Sequence, residues 1–493
     1  MPTLIIVDNP TEWPFKLDGI EIVAAKSYIT NTEYHKIRGA KVFNLCRSYR
    51  YQSIGYYVSL LAAARGHRAI PSVSTIQDFK SQAIIRIVSE DLDELIQKIL
   101  APIQSKEFTL SIYFGKNMAK KYDRLSLQLF NQFEAPLLRA QFAFDGQWYL
   151  QSIGPIPTDE ISEEHRLYIV EFAQEYFLRR SGRQKRAAYR YDLAILVNES
   201  EAHPPSDADA LKRFIKAAEK MELFTEFISK DDYGRLAEFD ALFIRETTKV
   251  NHHTFRFAQR AEAEGLVVMD DPESILKCSN KVYLAELMSR HEILTPKTLI
   301  IHKKTELTTI TETIGFPCIL KQPDSSFSLG VMKVVNEEQL ARELDRLFQK
   351  SDLILIQEFL PTSFDWRVGI VDQKPLYVCK YFMAEEHWQI LNWSKQENEK
   401  GFHGGAETFA IEKAPKKLIS VATKAANLVG DGLYGVDLKE VNGKFYVIEI
   451  NDNPNIDGDV EDLATKEDLY NRIMEVFLNR IIKLKEGKRN KRR

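Results

Sequence analysis

The chain has 493 residues, of which 44% are hydrophobic and 28% are charged. These are ordinary values for folded proteins, so they exclude a disordered chain, and the length predicts two or three domains. Because 67 basic and 70 acidic side chains leave a formal net charge of −3, no overall field attracts a polyanion, and nucleic-acid binding is not expected from the charge.

The first predicted element is a β-strand within residues 1–8. Its apolar run of four residues has no preceding basic segment, which argues against a signal peptide. No apolar stretch approaches the roughly 20 residues that span a bilayer, and the four cysteines show no disulfide or zinc spacing. We therefore expect a cytoplasmic protein that does not enter a membrane.

Three further patterns predict an N-terminal α/β domain over residues 1–185. Residues 54–64 are apolar enough for a buried helix that stops at 65–68. Residues 136–153 alternate apolar and polar side chains around Asp145-Gly146, which predicts a β-hairpin. Residues 162–180 have apolar side chains at helical spacing, and we expect this helix to close the domain.

A basic, polar stretch at 179–190 predicts a linker. Beyond it, the sequence predicts strands at 193–197, 223–228 and 241–244 with a helix over 206–222. Strands that alternate with helices favour a parallel sheet. We therefore expect a small α/β domain over residues 190–275.

Residues 435–454 carry the most informative pattern. Their alternation predicts two strands joined by a turn at Asn442-Gly443, with Asp437 on the first strand. Glu449 and Asn451 are two residues apart on the second strand, so they lie on one face. Two carboxylates and an amide oxygen are hard ligands that suit Mg²⁺ carrying nucleotide phosphates. An exposed hairpin with solvated acidic side chains is the alternative.

The string Val447-Ile448-Glu449-Ile450-Asn451-Asp452-Asn453-Pro454, preceded by Asp437, resembles the metal-binding signature of ATP-grasp ligases, in particular the branch of the ribosomal protein S6 glutamate ligase. Four upstream segments follow that branch in order: 270–272, 280–284, 294–298 and 315–321. The resemblance implies a multidomain α/β and α+β protein in which an ATP-grasp domain (276–484) follows a pre-grasp domain (190–275).

The same resemblance implies the nucleotide contacts. Lys281 and Lys321 correspond to the two ATP-binding lysines, and 322–331 corresponds to the loop that covers the phosphates. This loop keeps only Gly330 of the family's several glycines, so its backbone is expected to be stiffer. The residues expected to bind adenine follow an apolar strand, and they are Gln357, Glu358, Phe359 and Leu360.

The catalytic candidates also come from the resemblance. Asp365-Trp366-Arg367-Val368 resembles an Asp-x-Arg-Val element, in which Asp365 is a nucleotide-binding candidate. Phosphoryl transfer to a carboxylate needs cations where negative charge accumulates, and Arg367 and Lys380 are the candidates for that role. Each of the two side chains has the alternative of a surface salt bridge.

Two regions leave the substrate open. Residues 392–408 resemble the family's substrate-facing strand and keep its Gly404-Gly405 pair, but the family's arginine is not recognisable, and His403 is more often structural than a general base in such a setting. Segments within 114–153 resemble the domain found ahead of ATP-grasp modules of this branch, for which substrate docking or homo-oligomerisation is expected.

The resemblance implies an ADP-forming ligase that uses ATP and Mg²⁺, with Mn²⁺ as an alternative metal, to join a carboxylate and an amine through an acyl phosphate. The acceptor would be an amino acid, a peptide, a protein or a small molecule. A nucleotide-binding regulatory protein and a glutathione-synthase-like ligase stay open as alternatives. The basic tail at 485–493 is the one segment with the charge to touch RNA or an acidic partner.

Overall fold

The computed structural model describes residues 2–12, 20–37, 39–178, 189–324, 330–385, 387–390 and 404–490. They group into two compact units, an N-terminal unit of Met1–Ala187 with Asp231–Ala237 and a C-terminal unit of Ala188–Lys230 with Glu238–Arg493. Most of the expected linker, 179–188, and the end of the basic tail, 491–493, lie outside the described residues. The finer division into domains at 190–275 and 276–484 stays a prediction.

The N-terminal unit contains a parallel sheet and an antiparallel sheet. The parallel sheet has the order β2-β1-β3-β4, and its strands are β1 (Thr3–Val7), β2 (Glu21–Ala24), β3 (Lys41–Asn44) and β4 (Arg68–Ile70). The antiparallel sheet has the order β5-β6-β7, and its strands are β5 (Glu107–Tyr113), β6 (Leu137–Phe144) and β7 (Trp148–Pro155). The first predicted strand and the hairpin around Asp145-Gly146 are confirmed.

Within its described residues, the N-terminal unit has the α-helices α1 (Ala25–Thr30), α2 (Glu33–Lys36), α3 (Ile54–Arg65), α4 (Val73–Asp78), α5 (Gln82–Asp91), α6 (Asp93–Leu100), α7 (Asp123–Gln132) and α8 (Glu163–Leu178). The predicted helix at 54–64 is α3. It begins where the Ser53 hydroxyl accepts a hydrogen bond from the Tyr56 amide, and it ends at Gly66, whose φ of 71° favours glycine.

The C-terminal unit begins with a parallel sheet of order β11-β10-β8-β9. Its strands are β8 (Tyr191–Leu196), β9 (Leu223–Ile228), β10 (Ala241–Ile244) and β11 (Val267–Met269), and its helices are α9 (Ala208–Lys220), α10 (His253–Ala263), α11 (Pro272–Ser279) and α12 (Lys281–Arg290). The strands and the helix predicted for 193–244 are confirmed, and so is their parallel pairing.

Two antiparallel sheets follow in the C-terminal unit. The first has the order β12-β15-β13-β14, and it comprises β12 (Thr298–His302), β13 (Cys318–Lys321), β14 (Val331–Val334) and β15 (Leu353–Glu358) with α13 (Leu307–Thr313) and α14 (Glu337–Leu347). The second has the order β18-β17-β16-β19-β20, and it comprises β16 (Phe364–Val371), β17 (Lys374–Phe382), β18 (Ala406–Phe409), β19 (Leu433–Val441) and β20 (Lys444–Asn451) with α15 (Lys416–Val429).

The last helix, α16 (Glu467–Asn490), helps to build a core that distant segments share. One hydrophobic cluster joins residues of β8, α9 and β10 to residues of β16, β17 and α16. Within it, the Phe214 and Phe243 rings are 5.1 Å apart, and the Phe243 and Phe477 rings are 5.3 Å apart. The last helix, α16, therefore completes the hydrophobic core on one side of the parallel sheet. Within the described residues, no helix is both long and apolar enough to span a lipid bilayer.

We expect the substitution Phe477→Ala to lower the free energy of unfolding by about 3–5 kcal/mol, because truncating a fully buried ring leaves a cavity. Since β8, β10 and α16 share this core, the loss should lower the midpoint of their common transition in urea. The matched control is Leu463→Ala, at a position 51% exposed, with an expected change within about 0.5 kcal/mol. An early partial transition of α16 alone would contradict the shared core.

Candidate functional site

Three neighbouring strands of the five-stranded sheet hold the central polar side chains. Arg367 on β16 pairs with Asp437 on β19, and Asp437 pairs with Glu449 on β20. Directly opposite residues of antiparallel strands project to the same face. The register shifts just beyond the Asp437 and Glu449 pair, and Asn451 remains close enough for its Nδ2 to donate to Asp437 Oδ2 at 3.2 Å. The structure therefore brings Arg367, Asp437, Glu449 and Asn451 together.

The Arg367 guanidinium binds the Asp437 carboxylate through two hydrogen bonds. Its Nε donates to Oδ1 at 2.6 Å and its Nη2 donates to Oδ2 at 2.8 Å. Burial alone would lower the pKa of Arg367, but the Asp437 carboxylate holds it well above its usual value. The pair is a two-point ion pair that fixes both side chains in a partly buried position.

Lys281 approaches Glu449 from a separate element. It is the first residue of α12, which starts here because the Asn280 side chain caps the helix by accepting from the Val282 and Tyr283 amides. Lys281 Nζ lies 3.0 Å from Glu449 Oε1. Burial would raise the pKa of the Glu449 carboxyl, but the Lys281 and Lys321 ammonium groups lower it below its ordinary value. Glu449 is therefore ionised between two cations.

Lys321 ends β13 with its side chain turned into the protein. The residue is 7% exposed, and burial lowers the pKa of its ammonium from 10.5 to about 8, with Glu449 opposing that shift. An ammonium held in such surroundings is poorly compensated, so an anion brought beside it would be stabilised.

A cleft opens beside these charges, and its space is about 740 Å³ when the part open to solvent is included. It shares Lys281, Lys321, Gln357 and Glu449 with an adjoining pocket of about 420 Å³. Four of its lining residues are those expected at the adenine position, namely Gln357, Glu358, Phe359 and Leu360. Its apolar lining also includes Pro296, Ile319, Val331, Trp388, Ile390 and Ile448.

The segment at the end of β15 is fixed by its own hydrogen bonds. Gln357 Nε2 donates to Thr298 Oγ1 at 2.9 Å, and Glu358 Oε1 accepts from the Lys297 amide at 2.8 Å. Phe359 lines the cleft, and its ring centroid lies 3.8 Å from Lys333 Nζ and 6.1 Å from the Trp388 ring, which meets it edge-on. Aromatic side chains of this kind present flat faces to a planar ligand.

Asp365 is held by Lys439. Lys439 Nζ donates to Asp365 Oδ1 at 2.6 Å and to Thr362 Oγ1 at 2.7 Å. Burial raises the pKa of the Asp365 carboxyl, and Lys439 counters that rise. Both residues line the same cleft.

Lys380 lies elsewhere, which corrects the expectation that it joins Arg367. Lys380 pairs with Trp366, whereas Arg367 pairs with Cys379. Adjacent strand residues project to opposite faces, so Lys380 faces away from the charged cluster. Its ammonium lies over the Phe364, Trp366 and Phe409 rings at 4.5, 4.7 and 5.1 Å. The sequence similarity located the strand correctly, but strand alternation turns this side chain to the other face.

Sequence reasoning missed Lys439, Thr298 and Trp388. Lys439 follows Asp437 by two residues on β19, so strand alternation alone would have placed both on one face. Thr298 and Trp388 come from β12 and from the short segment 387–390, and they reach the cleft only through tertiary packing. The sequence signal for Thr298 was its place in the family-like segment 294–298, and we see no comparable signal for Trp388.

Two predicted loops fall partly outside the described residues. The described residues include neither 325–329 of the phosphate-covering loop nor 391–403, which contains Asn392 and His403. The glycine pair at 404–405 lies within the described residues. A Cβ on Gly404 would lie 1.9 Å from the Phe382 carbonyl oxygen, so only glycine fits there. The Gly405 carbonyl accepts from the Phe382 amide at 2.9 Å and begins the approach to β18.

Two family models match the chain. Residues 25–171 match the RimK-like ATPgrasp N-terminal domain, and residues 278–476 match the RimK-like ATP-grasp domain. The second match contains every candidate site residue named above, from Lys281 to Asn451.

The similar curated proteins include two ligases. An alpha-aminoadipate--LysW ligase LysX from Sulfolobus acidocaldarius is 28% identical over 194 residues, which cover 38% of this chain and 66% of that protein. A probable alpha-L-glutamate ligase from a Shewanella species is 23% identical over 254 residues, which cover 51% of this chain and 80% of that protein.

The similar solved structures include a D-alanine--D-alanine ligase from Bacillus anthracis complexed with ATP, with a TM-score of 0.46 and 15% identity, covering 61% of this chain and 100% of that one. A RimK domain ATP-grasp protein from Sphaerobacter thermophilus has a TM-score of 0.44 and 14% identity, covering 58% of this chain and 99% of that one.

The lowered pKa of Lys321 predicts a pH dependence of stability. Its folded pKa of about 8 lies below the ordinary 10.5, so the unfolded chain binds more protons between these values and the contribution of this side chain to stability rises with pH there. We expect Lys321→Met to raise the free energy of unfolding by about 1–3 kcal/mol near pH 7, and by less near pH 10.

Urea unfolding of both proteins at the two pH values measures this difference. Lys303→Met, at an exposed position, is the control and should change little at either pH. A destabilised Lys321→Met protein near pH 7 would show that the ammonium is well compensated in the folded chain.

Proposed function

We propose that this chain, which matches RimK-like models over residues 25–171 and 278–476, is an ATP-dependent carboxylate–amine ligase that adds an amino acid to a protein, peptide or small-molecule acceptor. The observation that carries the proposal is the position of Glu449, which lies between Lys281 and Lys321 and beside the Arg367 and Asp437 pair at the edge of the cleft. The ligase names of the relatives support the same reaction class.

In this proposal the nucleotide occupies the cleft. Its adenine lies along residues 357–360, between the apolar groups that line that end. Its phosphates meet Lys281 and Lys321, which are the cations next to Glu449. Because the Lys321 ammonium is buried and poorly compensated, phosphate oxygens at this point would gain a strong ionic contact. The ion pair between Asp365 and Lys439 holds the Lys439 ammonium at the wall of the cleft.

The donor set fits a magnesium ion. Asp437 and Glu449 offer carboxylate oxygens on paired strands, and Asn451 donates its amide nitrogen to Asp437, which leaves its amide oxygen as the acceptor atom. Hard oxygen donors are the ligands of Mg²⁺, with Mn²⁺ as the alternative of similar preference. A magnesium ion bound there would neutralise phosphate charge.

The remaining side chains then have positioning roles. We assign Arg367 to the reacting end, where its guanidinium, held against Asp437, would place positive charge beside the carboxylate that receives the phosphoryl group. The acceptor carboxylate would become an acyl phosphate, and attack by an amine would release phosphate and form the amide. Lys380 has no role in these steps, because it packs on aromatic rings of the opposite face.

The reaction predicts its nucleotide product. Incubation of the full chain with ATP, Mg²⁺ and pooled amino acids, with candidate acceptors added in turn, should release ADP and phosphate in a ratio of about one to one. Chromatography of the nucleotides and mass spectrometry of the acceptor measure this. AMP and pyrophosphate as the stoichiometric products would move the protein to an adenylating class and refute the acyl phosphate.

A second prediction concerns Asn451. Because its side chain is neutral, truncating it leaves no buried charge without a partner. Asn451→Ala should raise the Mg²⁺ concentration needed for half-maximal ADP formation by about tenfold or more, because one oxygen ligand is lost. The control is Gln349→Ala, which removes an exposed amide two residues after the end of α14 and should leave the Mg²⁺ dependence of ADP formation unchanged. An unchanged Mg²⁺ dependence in Asn451→Ala would remove Asn451 from the metal site.

A further inference from the structure

A second group of potential metal ligands lies at the carboxyl edge of the parallel sheet of the C-terminal unit. Glu246 follows β10 by two residues, and His252 and His253 stand at the start of α10. One ligand atom from each of the three side chains lies within 4.8 Å of the others. In sheets of this kind, ligands collect at the carboxyl ends of the strands.

The three side chains are in an environment that suits a cation. The Glu246 carboxylate side chain is 2% exposed and that of His253 is 17% exposed, and His253 Nε2 lies 2.9 Å from the carboxylate. The two imidazole rings are 3.9 Å apart. A buried carboxylate with two neighbouring imidazoles concentrates lone pairs in a small volume, and a divalent cation would compensate them.

Outer contacts hold two of the three candidate ligands in place. Asn198, which follows β8 by two residues, donates its amide to Glu246 Oε1 at 3.3 Å. His252 Nδ1 is 3.1 Å from Thr254 Oγ1, and that hydroxyl is 3.5 Å from the Thr247 carbonyl oxygen, to which it donates. The hydroxyl therefore accepts from Nδ1–H, which leaves the lone pair of His252 on Nε2. Metal-binding histidines are commonly oriented in this way.

We propose that Glu246, His252 and His253 form a binding site for a divalent transition-metal ion of the Zn²⁺ type. Two imidazole nitrogens and one carboxylate oxygen are a ligand set that Zn²⁺ accepts, whereas Mg²⁺ prefers oxygen ligands to imidazole nitrogens. The site is distinct from the set of Asp437, Glu449 and Asn451, which offers oxygen atoms alone. Three protein ligands leave a coordination position for water.

The position of the site explains what such an ion would do. The backbone carbonyl of Glu246 accepts from Asn453 Nδ2 at 2.7 Å, and Thr248 Oγ1 donates to Asp452 Oδ2 at 2.7 Å. Asp452 and Asn453 directly follow Asn451 at the end of β20. An ion bound to Glu246 and the two histidines would fix loop 245–253 and, through it, the segment that follows Asn451.

A hydrogen-bonded pair of Glu246 and His253 without any ion is the alternative explanation of the same geometry. The two explanations predict different affinities for zinc in solution. The ion pair alone gives no stoichiometric zinc affinity, whereas the proposed site gives one that depends on His252, which is not needed for the pair.

The test uses the full chain, stripped of metal with EDTA, in excess Mg²⁺ and without nucleotide. The probes are Zn²⁺, titrated against a chromogenic chelator, and Co²⁺, whose visible absorption reports nitrogen and oxygen coordination. The four cysteines are buried and should not compete. We expect one equivalent of Zn²⁺ to bind and to raise the unfolding temperature, and His252→Ala and His253→Ala each to weaken binding by about tenfold or more.

His302→Ala, at an exposed histidine of β12, is the matched control and should bind Zn²⁺ like the unmodified chain. His252→Gln serves as a second variant if His252→Ala unfolds, and unfolding temperatures in EDTA verify that each protein is folded. The proposal is overturned if the unmodified chain binds no Zn²⁺, if folded His252 and His253 variants bind it equally well, or if His302→Ala loses it. Each of these results leaves the proposed ligase reaction untouched, because Mg²⁺ and ATP are not being measured.

Discussion

Charge compensation around Glu449 is the constraint on which the rest of the site depends. A carboxylate in a partly buried cleft needs cations nearby, and Lys281 supplies one at 3.0 Å from a different element of the fold. The named ionic side chains are four cations (Lys281, Lys321, Arg367 and Lys439) and three carboxylates (Asp365, Asp437 and Glu449), so the set has one excess positive charge. This excess positive charge favours the entry of phosphates together with a divalent ion.

Much of the C-terminal unit could be predicted because its strands have strong local signals. Alternation and the Asn442-Gly443 turn located β19 and β20, and the two-residue spacing of Glu449 and Asn451 put them on one face. Segments that resemble a known family, in the same order along the chain, then indicated that Lys281 and Lys321 belong to the same site as these strands. The fold class and the position of the cleft follow from these patterns.

The remaining features depend on contacts that no local pattern encodes. The resemblance grouped Lys380 with Arg367 as a candidate cation, but it indicates a strand and not the face of a side chain, and the strand pairing puts Lys380 on the opposite face. Trp388 reaches the cleft from the short segment 387–390, which has no motif of its own. Glu246 and the two histidines lie within eight residues of one another on the connection between β10 and α10, and the conformation of that connection brings their side chains together.

The core shared by β8, β10 and α16 also determines when this unit can fold during synthesis. The Ser206 hydroxyl donates to the Ile456 carbonyl, and the two residues are 250 positions apart in the chain. The Phe243 ring packs on Phe477, which is translated more than two hundred residues later. Contacts of such long sequence separation form slowly, and partly made chains expose apolar strands meanwhile. The hydrophobic core that packs against the parallel sheet of the C-terminal unit can therefore be completed only after α16 has been synthesised.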